Sequence, residues 1–299
     1  MTANMTARKL YLGPLTDSRR WDKVKIRPDD VIVVTPPKSG TTWMQTIVAL
    51  LLTGDPWVAP DLSIEMPWVD IRMRDMDEVG DRLEAMHHRR SMKSHTPLDG
   101  LPVGGRAQYL CVMRHPLDIH ISFRNHVRNI PMGWFDAWYP EDDTDGIAFR
   151  RFLDGGPEGF DGDFAPLAHI LRHYKAAKAQ SDRRNVSLFH YADMKRDLPG
   201  TFARVAELLG VSHSAAVMED LIAAATFDNM KENAERFCPS GGKGFFKSDA
   251  GFFHGGKNGS WRAILSDEEV AAYDAVMAEA LPTEAREWLE NGALGGAGG

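Results

Sequence analysis

The stretch VIVVTPPKSGTTW at residues 31–43 restricts this chain more than any other part of it. Val31, Ile32, Val33 and Val34 form an unbroken β-branched run, the pattern of a strand buried on both faces. A tight loop follows. Met44, Ile47, Val48 and Leu51 then recur at i, i+3, i+4 and i+7, which is helical spacing. A loop entering a helix offers free backbone N–H groups and the positive end of the helix dipole, a natural seat for phosphate. Ser39, Gly40, Thr41, Thr42 and Trp43 supply those groups.

The lysine of this loop is out of place for a nucleotide triphosphatase. In the pattern G-x-x-x-x-G-K-[ST] the lysine follows the last glycine, and the next hydroxyl holds magnesium. With Gly40 on that glycine, Thr35 takes the first glycine position, Thr41 the lysine position and Thr42 the hydroxyl. The one lysine, Lys38, precedes the glycine by two residues.

The rest of the chain alternates strand and helix patterns. A short helix is expected within 76–89. A second buried strand, AQYLCVM, spans 107–113 and is stopped by RHP. Helices are expected over 117–129, 164–179 and 198–210, the last closed by Gly210. A third strand lies within 185–194. Residues 131–165 read as a long excursion whose Trp134, Phe135, Trp138 and Tyr139 are candidates for an apolar acceptor pocket. Residues 241–260 hold seven glycines with Lys243, Lys247 and Lys257, and read as a flexible cationic loop. The tail GALGGAGG reads as disordered. This alternation predicts an α/β fold, a P-loop-like three-layer α/β/α arrangement with a mostly parallel central sheet. Ligands on such sheets bind at the carboxyl ends of the strands, so the loops after the first two strand candidates should converge on one anion.

Composition narrows the partners. A net charge of −7 over 299 residues argues against general nucleic-acid binding, so cations beside an anionic ligand would be local. Two cysteines, Cys111 and Cys238, are no disulfide framework, and a reducing, cytoplasmic setting is expected. The N-terminus lacks the apolar core of a signal peptide, and the longest apolar run, IVALLL, is too short for a bilayer. His87 and His88 are adjacent, and a helix would point them apart; no H-E-x-x-H or paired-cysteine spacing exists. The Trp and Met residues of 57–76 read as core.

Magnesium-dependent kinases place an acid at the end of a neighbouring strand. Here that position is Arg114, whose guanidinium suits a phosphate and repels a metal. The site therefore reads as one that uses protein cations in place of a metal ion.

TPPKSGTTW followed by VMRHPLDIHISF closely resembles the cytosolic-type sulfotransferase family, in a bacterial member. That family uses 3′-phosphoadenosine 5′-phosphosulfate (PAPS) as co-substrate, without metal. The resemblance covers roughly residues 30–262 and implies a single sulfotransferase domain over 1–299. It implies that Lys38 stabilises the leaving group, and that Ser39 to Trp43 bind the 5′-phosphate and adenine side. Arg114 and Ser122 would hold the 3′-phosphate. MKSHTP matches the segment of the catalytic base, giving His95, with Lys93 beside the acceptor oxygen. LFHYADM gives Tyr191 as a cofactor contact, and AATFDNMKEN gives Thr226, Phe227 and Met230 on the adenine side. FFHGGKNGSW matches the late motif, placing His254, Gly255 and Gly256 where the family usually has Arg-Lys-Gly over the 3′-phosphate. Both cations of that motif are missing. RAILSDEEVA does not match the family's short dimerisation pattern, and the oligomeric state stays open.

The reaction implied is transfer of a sulfuryl group to a hydroxyl or amine of a small, apolar acceptor. Two other readings stay open: a P-loop kinase, and a non-catalytic protein that binds 3′,5′-diphosphoadenosine.

Overall fold

The computed structural model describes residues 8–58, 61–131, 145–155, 163, 165–253 and 256–293. Its centre is a four-stranded sheet, β1 (Val31–Val34), β2 (Ser91–Ser94), β3 (Gln108–Met113) and β4 (Val186–His190). The order is β2-β1-β3-β4 and every pairing is parallel. Thirteen α-helices surround it among the described residues: α1 (Thr41–Thr53), α2 (Met76–Ala85), α3 (Pro116–Arg128), α4 (Asp145–Asp154), α5 (Leu167–Lys178), α6 (Tyr191–Arg196), α7 (Leu198–Leu209), α8 (Ala215–Ala224), α9 (Phe227–Glu232), α10 (Ala234–Phe237), α11 (Asp249–Phe252), α12 (Asp267–Ala280) and α13 (Thr283–Asn291). None is long and apolar enough to cross a membrane.

The strands alternate between two apolar layers. Ile32, Val34, Tyr109, Cys111 and Met113 join one core, with Phe149, Ile170 and Tyr273. Val31, Val33, Leu110, Val112 and Phe189 join the other, with Met44, Ile47, Val48 and Leu51 of α1. Burial of side chains of this size stabilises by about 1.5–3 kcal/mol each, which is why the strands read as continuous apolar runs. α1 is buried on most of its surface and ends at Gly54, whose φ of 67° lets its N–H turn back to the carbonyl of Leu50. Cys111 and Cys238 are both buried and free.

Four expectations need correction. β2 was not anticipated, because SMKS is short and carries polar residues on both faces. α2 stops at Ala85, so His87 and His88 lie in an exposed link rather than on a helix. The segment 131–165 contains α4, which buries Ala148, Phe149 and Phe152. The described part of the 241–260 segment is built rather than loose: α11 lies in it, and Lys247 and Ser248 are tied to Asn129 at the end of α3.

Register explains why distant residues meet. Val34 is level with Ser94 on one side and with Cys111 on the other. Thr35 and His95 therefore leave the sheet side by side. Met113 is level with His190, so Arg114 and Tyr191 also emerge as neighbours. All four strands point their carboxyl ends to one edge.

Candidate active site

That edge opens into a cavity of about 920 Å³. The loop between β1 and α1 forms one wall. Lys38 sits at its tip with a φ of 65°, in the left-handed region that costs a side-chain-bearing residue roughly 1–2 kcal/mol. Gly40, at φ 107°, is the N-cap of α1 and leaves its first N–H groups without a side-chain cap. Ser39 faces inward, its hydroxyl donating to the carbonyls of Pro36 and Val112 at 2.7 and 3.0 Å. It anchors the loop to β3 rather than lining the cavity. Thr41 lines the cavity, its hydroxyl 2.6 Å from that of Thr35. Thr42 and Trp43 also line it, and Trp43 is fixed by its indole N–H donating to the carbonyl of Ala225 at 2.8 Å.

Arg114 is buried under this wall. Its Nη1 donates to the carbonyl of Lys38 and its Nη2 to the carbonyl of Lys257, each at 3.2 Å. Its guanidinium lies 4.4 Å from the centre of the Tyr191 ring, and Tyr191 meets Trp43 edge to face at 5.3 Å. Ser122, two turns along α3, lines the same cavity. Asp118 accepts from the N–H groups of Gly259 and Ser260, which holds the 256–260 turn against α3.

On the other side, β2 delivers Lys93 and His95. The backbone of His95 is clamped by buried polar groups: its N–H donates to Asp70 at 3.2 Å, and its carbonyl accepts from His173 Nε2 at 2.9 Å. His95 Nδ1 lies 2.8 Å from the carbonyl of Thr35. A carbonyl only accepts, so the proton sits on Nδ1 and Nε2 carries the free lone pair. Burial first, then nearby Lys93, pushes this imidazole down to about 3, so it is neutral near neutral pH. Trp68 packs its edge on His95 at 4.7 Å and its face beneath the Lys93 ammonium at 5.0 Å.

The cations of the cavity are held back from full charge. Burial, with Arg114 and Lys93 nearby, pushes Lys38 down to about 7. Burial and Arg74 push Lys93 down to about 8, against the pull of Asp70. Lys231 and Lys257 line the cavity as well. Lys38, Lys93, Arg114, Lys231 and Lys257 around one hollow of a chain with net charge −7 suit an anionic ligand.

The structure thus brings together Lys38, Gly40, Thr41, Thr42, Trp43, Lys93, His95, Arg114, Ser122, Tyr191, Phe227, Met230 and Gly256 around one cavity. Thr226 stands apart: its hydroxyl caps α9 by accepting from the Asn229 N–H, and it is exposed. His254 and Gly255 lie outside the described residues, as do Trp134, Phe135, Trp138 and Tyr139. The expectation that the Trp and Met residues of 57–76 are core holds for Met66 and Met76. Trp68 and Met73 line the cavity, and Trp57 is 79% exposed. Sequence reasoning missed the phenylalanine wall, Phe245, Phe246 and Phe252, and His126 within it. The FF pairs flanking SDAG were a visible signal, masked by the surrounding glycines and lysines.

The model of the sulfotransferase domain matches residues 28–284. The chain belongs to the sulfotransferase family. This sulfotransferase is 31% identical to a glycolipid sulfotransferase of Mycobacterium bovis, with 97% of each chain covered. A glycolipid sulfotransferase of Mycobacterium tuberculosis is likewise 31% identical, again over 97% of each chain. Among solved structures, mouse sulfotransferase SULT7A1 complexed with PAP superposes with a TM-score of 0.72 at 18% identity, over 96% of this chain and 98% of that one. Retinol dehydratase in complex with androsterone and inactive cofactor PAP gives 0.70 at 20% identity, over 93% and 91%. At such identities the likeness speaks for the fold, a P-loop-like sheet.

Proposed function

We propose that this sulfotransferase takes its sulfuryl group from PAPS and passes it to a hydroxyl of an acceptor with an apolar body, a glycolipid foremost. The observation that carries this reading is the convergence of His95, Lys93 and Lys38 on the cavity whose other wall holds Arg114, Ser122 and the α1 N-terminus.

In that reading the acceptor oxygen forms a bond to sulfur while the bond from sulfur to the bridging oxygen breaks. The acceptor proton goes to His95 Nε2, and the products are the sulfate ester and 3′,5′-diphosphoadenosine (PAP). Lys38 meets the charge that develops on the leaving phosphate, and Lys93 lies against the transferring group. Arg114 and Ser122 hold the remote 3′-phosphate, which positions the reacting end. The α1 N-terminus takes the 5′-phosphate, with Tyr191, Phe227 and Met230 toward the base. An arriving donor carries several negative charges, which favour the protonated forms of Lys38 and Lys93. Gly256 suits a turn lying over a ligand: its φ is 54°, and a side chain there would strike the Phe227 ring. The acceptor class rests on the names of the two mycobacterial relatives and on the apolar wall of Phe245, Phe246, Phe252 and Met73.

The deciding experiment is calorimetric titration with PAP, with and without magnesium, beside ATP. Binding of PAP that ignores magnesium and exceeds ATP is expected, followed by transfer of labelled sulfuryl from PAPS to neutral glycolipids in micelles. A preference for magnesium-ATP would sink the donor assignment.

A further inference from the structure

Lys38 has no carboxylate partner among the described residues. Its ammonium lies 4.1 Å over the face of Phe252 and 3.5 Å from Nδ1 of His126. Arg114 and Lys93 press on it with like charge, and the Cys238 thiol and the neutral His95 ring also lie close to it. Among the described residues, the acceptor atom offered to this ammonium is His126 Nδ1.

His126 is built to stay an acceptor. It sits on the third turn of α3, against Phe246 at 5.4 Å and Phe252 at 5.6 Å, with Phe123 at 6.3 Å. Burial first, and then the nearby Lys38 and Lys93, oppose a second positive charge in this place. A protonated imidazole would set two cations face to face and expel the lysine.

We propose that His126 is the positioning residue of Lys38, a neutral acceptor that holds the catalytic ammonium in place without cancelling its charge. This rests on the donor reading above. A carboxylate in the same position would bind the lysine tightly and compete with the incoming phosphosulfate. An imidazole lone pair and an aromatic face hold it weakly, and both are exchanged for phosphate oxygens when the donor arrives. The tautomer follows: Nδ1 faces the lysine, so the proton is on Nε2.

The test uses the full chain and three substitutions. His126→Phe fills the ring's space without an acceptor atom. His126→Asn puts an amide oxygen at the Nδ1 position, and His126→Gln puts its amide at the Nε2 position. PAP binding is followed by calorimetry from pH 6 to pH 9 in buffers of different ionisation heat, which counts the protons taken up. Failure of the unaltered protein to bind PAP would sink the donor reading itself. With binding established, the pH of half-maximal proton uptake should fall by about half a unit or more in His126→Phe, because an ammonium without its acceptor loses its proton more readily. His126→Asn should restore the original midpoint, and His126→Gln should follow His126→Phe. Release of sulfate from PAPS to water should slow by about tenfold in the Phe and Gln variants and by less than about threefold in Asn. Unmoved midpoints in all three variants, equal displacement in all three, or rescue by Gln instead of Asn would overturn the assignment. Should His126→Phe not fold, the contrast between Asn and Gln decides alone.

Discussion

Arg114 reaches from the end of β3 to the carbonyl of Lys38 at the turn after β1, with Nη1 and oxygen 3.2 Å apart. The residue proposed to read the 3′-phosphate is thus bonded to the backbone of the residue proposed to meet the leaving group. Its second amino group takes the carbonyl of Lys257, and its face rests on Tyr191. One planar guanidinium therefore ties three segments that share no sequence proximity. An ammonium has the charge but not the fork.

Arg114→Lys should consequently fail as a conservative change. It is expected to weaken PAP binding by about tenfold or more, since one charge-assisted bidentate contact contributes about 1.5–3 kcal/mol. The same variant should make the Lys38 loop more accessible to hydrogen exchange. Calorimetry and exchange mass spectrometry read the two effects, and an unchanged PAP affinity would rule out Arg114 as a phosphate contact.

His95→Ala separates chemistry from binding. General-base assistance is typically about 10²–10⁴-fold, so turnover should fall by that much while PAP affinity stays within about threefold. His95 is held neutral down to about 3, so its protonation should place no acid limb on the rate near neutral pH. A limb near pH 6.5 that vanishes in the alanine variant would contradict the burial of this ring.

The parts of the site that sequence made legible are those written in contiguous residues. The β1 run, the PKSGTT loop and the α1 stripe are local, and the structure reproduces them within a residue or two. Arg114 was legible because β3 is an apolar run with an obvious stop. β2 was not, because SMKS earns its place by register with Val31–Val34 and not by its own pattern. Trp68 and Phe252 were hidden for a related reason: an aromatic residue lines a cavity or fills a core according to what lies opposite, which only the tertiary fold decides. His126 falls on the unremarkable end of an amphipathic helix, and its meaning comes entirely from Lys38, 88 positions away in sequence.

Lys38 illustrates function set against stability. Its backbone lies at φ 65° and its ammonium is desolvated near Arg114 and Lys93. Lys38→Gly removes both burdens, and should stabilise the fold by about 1 kcal/mol or more while reducing turnover by about a hundredfold or more. Urea denaturation beside a transfer assay checks the pair of effects. Loss of stability in this variant would show that the lysine stem packs more productively than its charge and backbone cost.

Acid should unfold this protein through its buried histidines, and His120 isolates the effect. Burial holds His95, His115 and His120 at about 3 and His190 at about 4, whereas an unfolded histidine titrates near 6.5. Between those values the unfolded chain binds more protons than the folded one. Stability is therefore fully present above about pH 6.5 and is lost as pH falls, by at most about 1.4 kcal/mol per histidine per pH unit. His120 lies outside the proposed chemistry, against Phe149 and Phe152, with neither ring nitrogen bonded among the described residues. His120→Phe should thus raise stability by about 1 kcal/mol at pH 7.5, where it relieves two unpartnered polar atoms. Its advantage should widen at pH 5.5, where it also removes one proton acceptor from the unfolded chain. Urea denaturation at the two pH values measures both terms. A constant difference between them would mean that His120 already carries its proton in the folded protein, and that its ring nitrogens are better solvated than their burial allows.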